Sequence, residues 1–309
     1  MFLKKTKLVC EAEKSEKFYS LFSAFFSVIA FTLMGEIIGV GILWLIGFTK
    51  INESSTMKFL GELIISNFFI SLIIFRHVKK EEKRSISGLG FYKKGCIKNY
   101  LIGFTVGMLE FMLVVMLLSI SGHIKIEQGF ITNKIGAFLI ILPAWIIQSA
   151  TEEILSRGWL MNVLGARYNI TIGLVVSSLF FAAMHLGNPN MNIIAFLNLF
   201  MTGIFFGLYV IKTENLWGVC GIHAAWNAFQ GNFFGFEVSG LNIGVGSIMK
   251  LKSVGSPMIT GGMFGPEGGL ACTIVECLIS IFLIYIIKKS YNKADKPLYH
   301  INKKFNSKG

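Results

Sequence analysis

The chain has 309 residues, of which 53% are hydrophobic and 15% are charged, and its formal net charge is +12. A soluble domain of this length carries more surface charge, so the composition excludes an ordinary soluble protein. Most basic residues flank apolar segments and are not interleaved with stacking aromatic residues, which argues against nucleic-acid binding.

Apolar segments long enough to cross a bilayer, about 20 residues each, recur along the chain. Because backbone groups in lipid must be hydrogen-bonded internally, we predict an all-α polytopic transmembrane bundle of about eight spans. The predicted spans are residues 19–48, 59–75, 100–120, 135–156, 170–187, 191–211, 216–236 and 268–288. A glycine-rich irregular loop, residues 237–269, precedes the last span. The chain thus divides into an N-terminal tail (1–18), a transmembrane domain (19–289) and a C-terminal tail (290–309).

The distribution of lysine and arginine between the spans predicts the orientation in the membrane. One side holds 23 of these residues, counted over the N-terminal tail, the 76–99 connector, the 157–169 turn with Arg157, the 212–215 turn and the C-terminal segment from Lys288. The loops of the other side hold six. Basic residues accumulate in cytoplasmic loops, so we predict a multi-pass protein of the cell membrane with both termini in the cytoplasm. The basic connector 76–99 is suited to contact with anionic membrane lipid.

Two adjacent glutamates stand near the end of the fourth predicted span. Glu153 and Arg157 are four residues apart, so on a helix they share a face and can form an ion pair. Glu152 points about 100° away and is free for another role. Charged side chains are costly in hydrocarbon, so they mark either a functional site or an ion pair at the end of a span.

Two later spans each carry a pair of residues at the same four-residue spacing. Phe181 lies one turn before His185, and His223 lies one turn before Asn227. Each histidine has a structural alternative, either as a satisfied core residue or as an interhelical hydrogen-bonding group. Three polar pairs in one apolar domain nevertheless predict a single intramembrane site.

The turn between the fourth and fifth spans brings Glu152 and His185 to the same depth. It centres on residues 168–169, and Glu152 lies as far before that point as His185 lies after it. In an antiparallel helical hairpin, both side chains then lie about 25 Å from the tip, at about 1.5 Å per residue. We therefore predict that the two side chains meet inside the protein.

Together the three motifs resemble a known family of membrane enzymes. The order Glu-Glu-x3-Arg, Phe-x3-His and His-x3-Asn is similar to that of the CPBP intramembrane proteases, which comprise the CAAX-type prenyl-protein endopeptidases and the bacteriocin-processing (Abi) proteins. Glycine-rich runs at 238–240 and 261–267 also look like the tail of many bacterial members. The resemblance covers a core of about residues 140–285.

The resemblance implies an intramembrane endopeptidase that hydrolyses a membrane-presented peptide or protein. Glu152 and His185 would activate a water molecule, and His223 and Asn227 would stabilise the resulting oxyanion. The residues that would support these four are Glu153, Arg157 and Phe181. A partly desolvated glutamate suits the role of general base.

A metal-dependent mechanism stays open. Glu152, His185 and His223 would make a His2Glu set similar to that of catalytic zinc, and the family has been called metalloprotease on that basis. The His-Glu-x-x-His helix of zincins does not occur in the sequence, and the pairing of His223 with Asn227 also suits an oxyanion hole. Zinc is thus the alternative to glutamate-activated water without a metal.

Two other functions fit the same residues. A non-catalytic protein on this scaffold could confer bacteriocin self-immunity or hold a partner in the membrane. An ion-coupled transporter would use buried glutamate and histidine as a proton relay, although the two halves of the chain show no inverted repeat.

Four further carboxylates in or near the spans have no assigned role: Glu36, Glu62, Glu110 and Glu276. The composition, rich in Ile, Lys and Phe, and the glycine-rich segment indicate a bacterial source, for which peptide maturation or regulation fits better than processing of prenylated proteins. The sequence carries no signal for an oligomeric state.

Overall fold

The computed structural model of the chain describes residues 3–48 and 55–306, and the side chains of residues 3–48 and 60–292. The ends of the two predicted tails, residues 1–2 and 307–309, lie outside the described part. The helices are α1 (Lys7–Ala12), α2 (Leu21–Leu45), α3 (Ser55–Lys80), α4 (Cys96–Ile120), α5 (Ile135–Glu153), α6 (Met161–Arg167), α7 (Ile170–Met184), α8 (Ile193–Thr213), α9 (Leu216–Ala228), α10 (Pro257–Thr260) and α11 (Leu270–Asn306).

The prediction of an all-α polytopic membrane bundle is confirmed. Within the described residues, six helices are long and apolar enough to cross a membrane, and each overlaps most of a predicted span. The two other predicted spans are also helical, but α7 has 15 residues and α9 has 13. The number of eight crossings therefore stays a prediction.

The fourth predicted span is longer than the sequence indicates. Helix α5 continues through a π-helical segment, Ile154–Leu160, into α6, so the helical chain ends at Arg167 rather than near residue 156. Arg157 lies inside this π segment and is fully buried, which corrects its assignment to a basic loop. Single π turns within α-helices frequently occur at functional sites, because they redirect side chains locally.

Asparagine caps define the starts of the three helices that follow. Helix α7 begins directly after Asn169, whose Oδ1 accepts a hydrogen bond from the Ile172 amide at 2.9 Å. Asn192 and Asn215 cap α8 and α9 in the same way. Such caps satisfy amides that have no partner within the helix. The turn at 168–169 therefore lies where the sequence predicts it, between α6 and α7.

Helix α9 occupies the centre of the bundle. Twelve of its residues are buried, and α4 and α5 pack along it. The contact with α4 is close because glycines of α4 face the backbone of α9: Gly103 approaches the Gly218 carbonyl, and Gly107 approaches the Ile222 carbonyl. Small residues allow such close approach of membrane helices, which gain stability mainly from tight packing. The position of the third motif on α9 thus depends on the glycines of α4.

Replacing Gly107 with alanine is expected to destabilise the protein by about 1–3 kcal/mol, because the added Cβ would overlap the Ile222 carbonyl oxygen. Gly41→Ala on α2 is the matched control, since its Cβ has no neighbour within 4 Å among the described residues. That control should be neutral or slightly stabilising. Thermal unfolding in detergent compares the two variants. Equal stability of both would show that the α4–α9 approach tolerates a side chain.

The glycine-rich segment 237–269 is more ordered than the predicted irregular loop. Strand β2 (Lys250–Ser253) pairs antiparallel with strand β1 (Ile124–Gln128), which follows α4. Helix α10 and two short 3-10 turns, Gly262–Phe264 and Pro266–Gly268, then lead into α11. The segment therefore folds back onto the helices instead of extending away from them.

The loops that the charge count assigns to one side do lie at one end of the bundle. The Lys7 amide donates to Glu214 in the α8–α9 turn at 2.7 Å, and Lys17 pairs with Glu81 at the end of α3 at 2.9 Å. Helix α1 packs against α6. Helix α11 continues to Asn306, so the predicted tail from residue 290 is helical over most of its length.

Candidate active site

The three sequence motifs surround one cavity of about 360 Å³ in the membrane domain. Glu152 reaches it from α5, His185 from the C-terminal end of α7, and His223 and Asn227 from α9. Helices α2 and α3 close another side and contribute polar residues such as Asn67. The structure therefore brings the four predicted catalytic residues to a shared space.

Glu153 forms a buried ion pair with Arg157 behind the cavity and also contacts His223. Arg157 donates from Nη1 to Glu153 Oε1 at 3.0 Å, and both side chains are fully buried. The same Oε1 lies 2.9 Å from His223 Nδ1. A carboxylate accepts hydrogen bonds only, so His223 carries a proton on Nδ1 and directs Nε2 toward the cavity side. Glu153 thus fixes both the tautomer and the orientation of His223.

Two aromatic rings hold the guanidinium of Arg157. Its Cζ lies 4.3 Å from the ring centre of Phe181 and 5.3 Å from that of Phe206. Phe181 also packs against His185 and His223, with ring centres 5.1 and 5.8 Å away. The planar cation is stabilised by the ring faces in this dry environment. Phe181 therefore connects the ion pair with both histidines.

Glu152 lies on the cavity side of the same helix. Its side chain is 20% exposed, and its Oε2 is 3.9 Å from His223 Nε2. Oε1 accepts a hydrogen bond from Gln148, whereas Oε2 has no hydrogen-bonding partner among the described residues. One oxygen is thus oriented by the protein, whereas the other is buried beside the His223 ring without a hydrogen bond among the described residues.

Gln148 also orients Asn227. Asn227 donates from Nδ2 to Gln148 Oε1 at 3.0 Å and to Ser149 Oγ at 3.4 Å. The bond to Ser149 is longer and therefore weaker, so a stronger acceptor in the cavity would replace it. Gln148 therefore links Glu152 with Asn227, a role that the sequence motifs do not reveal.

His185 is the C-cap residue of α7. Its Nδ1 lies 2.8 Å from the Phe181 carbonyl oxygen, which only accepts, so Nδ1 carries the proton. Nε2 is left with its lone pair, in a half-buried side chain that lines the cavity. Glu152 and His185 thus share the cavity, and no direct hydrogen bond joins these two described side chains.

The metal alternative depends on which ring nitrogens of the two histidines are available. Nδ1 of each histidine donates to a protein oxygen, which leaves Nε2 of both rings available as a ligand. Within the described residues, no group of three or more His, Cys, Asp or Glu side chains is arranged to hold a metal ion.

Residues of the glycine-rich segment form a wall of the cavity that the motif analysis does not assign. Ser239, Leu241 and Glu267 line it, and Asn188, just after His185, donates to the Ser239 carbonyl at 2.9 Å. Glu267 is buried and accepts a hydrogen bond from the Ser239 amide. The signal in the sequence is the cluster of glycines near residue 265, which allows close backbone approach.

The four unassigned carboxylates separate into different environments. Glu36 of α2 lines the cavity, and Glu62 is half-buried on α3. Glu110 of α4 and Glu276 of α11 are buried and interact with each other electrostatically. Glu276 accepts a hydrogen bond at 2.8 Å from Thr202, which lines the cavity. The last two acids therefore lie behind the cavity wall rather than in it.

Carboxylate, imidazole and amide groups thus surround an internal cavity of a helical bundle with membrane-length helices. Residues 134–229 match the family described as type II CAAX prenyl endopeptidase Rce1-like. This match contains all three motifs and confirms the resemblance to CAAX-type intramembrane proteases. No curated protein and no solved structure matches the chain. The glycine-rich wall lies outside the matched segment.

Proposed function

We propose that this protein is an intramembrane endopeptidase that hydrolyses a peptide bond with water activated by Glu152 and His185. The observation that carries the proposal is the convergence of Glu152, His185, His223 and Asn227 on one cavity. Oε2 of Glu152, which has no hydrogen-bonding partner among the described residues, and the unprotonated Nε2 of His185 are two groups there that can accept hydrogens from water.

In the proposed reaction, water lies between Glu152 Oε2 and His185 Nε2 and attacks the peptide carbonyl carbon. Glu152 takes the first water proton and later transfers it to the leaving amine as the C–N bond breaks. His185 accepts the second hydrogen and takes that proton as the carboxylate product forms. The proton then returns from His185 to solvent, so that one water molecule is consumed for each bond broken.

The oxyanion formed by this attack would be stabilised by Asn227 and His223. Asn227 exchanges its 3.4 Å bond to Ser149 for a bond from Nδ2 to the oxyanion. His223 already directs Nδ1–H to Glu153, so it donates toward the cavity only when Nε2 is protonated as well. Glu153, whose Oε1 lies 2.9 Å from Nδ1, compensates the positive charge of that form.

We further propose that the protein resides in the cell membrane of a bacterium, with both termini in the cytoplasm and with anionic lipid at the basic connector 76–99. This orientation is supported by the position of three segments at one end of the bundle, namely the N-terminal tail, the end of α3 and the α8–α9 turn. Cys10 is exposed at this end and provides a native position for labelling. We expect an impermeant thiol reagent to label Cys10 in inverted membrane vesicles. In right-side-out vesicles it should label Cys10 only after the vesicles are opened.

Cleavage of membrane-presented peptides tests the proposed activity. The full chain is reconstituted in vesicles of phosphatidylethanolamine and phosphatidylglycerol, with two pools of peptides, one held by an apolar segment and one by a farnesyl group. In H₂¹⁸O, mass spectrometry should find new C-termini that carry solvent ¹⁸O. The best-cleaved peptide then serves as the reporter peptide. Absence of cleavage in both pools would contradict the proposal and favour a non-catalytic immunity or partner-holding role.

Asn227→Leu is expected to lower kcat for the reporter peptide by about 10²–10³-fold, because an oxyanion donor is lost. KM should change little, since this hydrogen bond forms mainly in the transition state. Asn67→Leu is the control, because Asn67 lines the same cavity but donates to the Leu63 carbonyl within its own helix. Similar rates for both variants would remove Asn227 from the oxyanion site.

A further inference from the structure

A third carboxylate, Glu267, faces the cavity from outside the predicted catalytic set. It lies on the short Pro266–Gly268 turn that precedes α11. The residue is only 6% exposed, and it lines the same cavity as Glu152 and His185. A buried carboxylate at a cavity wall is costly unless its charge is compensated, so its surroundings indicate its role.

Several hydrogen bonds hold Glu267 in place. The Ser239 amide donates to its carboxylate, although Ser239 adopts the left-handed conformation with φ 49°. The Ser239 carbonyl accepts from Asn188 at 2.9 Å, and the Glu267 carbonyl accepts from Asn198 of α8 at 2.8 Å. A non-glycine residue persists in the left-handed region only when its surroundings fix it. The position of this carboxylate is therefore strongly determined.

Asn188 connects this arrangement to the second motif. It lies three residues after His185, and the backbone amide of Asn188 donates to the His185 carbonyl at 2.9 Å. The carboxylate of Glu267 is near enough to the His185 ring to interact with it electrostatically. Burial raises the pKa of the Glu267 carboxyl, and the Ser239 hydrogen bond and the His185 ring oppose that change. A positive charge on His185 and a negative charge on Glu267 thus favour each other.

We propose that Glu267 is a positioning residue that stabilises the positive charge on His185 when this histidine accepts a proton from the attacking water. The inference rests on the proposed function, since it assigns His185 as a proton acceptor. Glu267 itself exchanges no proton in this step: the proton moves from water to His185 Nε2, and the carboxylate compensates the charge. The site then extends beyond the residues of the family match, into the glycine-rich segment.

Glu267→Gln separates this role from a merely structural one. Glutamine has nearly the same shape, and its Oε1 can still accept from the Ser239 amide, so a structural role predicts wild-type activity. Charge stabilisation instead predicts a loss in kcat of about 10- to 100-fold for the reporter peptide, with KM within about twofold. Glu237→Gln is the matched control, because Glu237 lies in the same segment but does not line the cavity.

Glu267→Asp keeps the charge and should restore part of the kcat that glutamine loses. Two results would overturn the inference. One is an unchanged kcat in Glu267→Gln, and the other is a Glu267→Asp variant that is no faster than Glu267→Gln. If glutamine prevents folding, the aspartate variant decides: it must cleave faster than Glu267→Ala. These outcomes differ from failure of the proposed function, in which the wild-type protein itself cleaves neither peptide pool.

Discussion

Replacing Glu152 with glutamine is expected to lower kcat for the reporter peptide by about 10²–10⁴-fold, which is the usual contribution of a general base. The amide has nearly the same size as the carboxyl group and can still accept a hydrogen bond from Gln148, but it cannot take a proton from water. Folding should be retained, because Glu152 is the partly exposed member of the glutamate pair. Single-turnover cleavage of the reporter peptide measures the effect.

Glu36→Gln is the control for this variant. Glu36 is another carboxylate that lines the cavity, but it belongs to α2 and to none of the three motifs. We expect its substitution to change kcat by less than about threefold, because only a positioned base contributes to the chemical step. Substantial cleavage by Glu152→Gln, with correct folding, would contradict the assignment of Glu152 as the base.

Replacing Arg157 with methionine is expected to cost about 3–5 kcal/mol of unfolding free energy, because it leaves Glu153 as an uncompensated buried charge. Both side chains are fully buried, and the structure pairs them at 3.0 Å. The guanidinium also fills the space between Phe181 and Phe206, and methionine keeps part of that packing. Unfolding of the purified protein in detergent or bicelles measures the loss.

The double variant Glu153→Gln/Arg157→Met tests whether charge is the cause. Removing both charges should recover a large part of the stability, since a neutral buried pair has no uncompensated ion. Activity should stay low, because His223 then loses the carboxylate that holds its Nδ1 proton. A double variant as unstable as Arg157→Met would attribute the loss to packing instead.

The helices and one side-chain pair could be predicted because they depend on local patterns. Apolar stretches of span length fix the helices, and the four-residue spacing of Glu153 and Arg157 fixes their ion pair. The turn at 168–169 follows from Asn169, which caps α7. The meeting of Glu152 and His185 at one cavity follows from the equal arms of this hairpin.

The rest depends on contacts between distant parts of the chain. Strands β1 and β2 are short and separated by more than 100 residues, so no local pattern indicates that they pair. The π segment at Ile154–Leu160 follows from packing inside the bundle, because its seven residues read as an ordinary helix. Gln148 precedes the first motif, and its link from Glu152 to Asn227 needs the position of α9. Glu267 lies more than 80 residues after His185, and only the fold brings the two together.

The most direct test of the account is the structure of the Glu152→Gln variant with the reporter peptide bound and uncleaved. We expect the scissile carbonyl carbon to face the space between residue 152 and His185 Nε2, with an ordered water within about 3 Å of both. The carbonyl oxygen should lie within hydrogen-bonding distance of Asn227 Nδ2. A peptide bound elsewhere on the bundle, or a residue 152 side chain directed into lipid, would contradict the central claim.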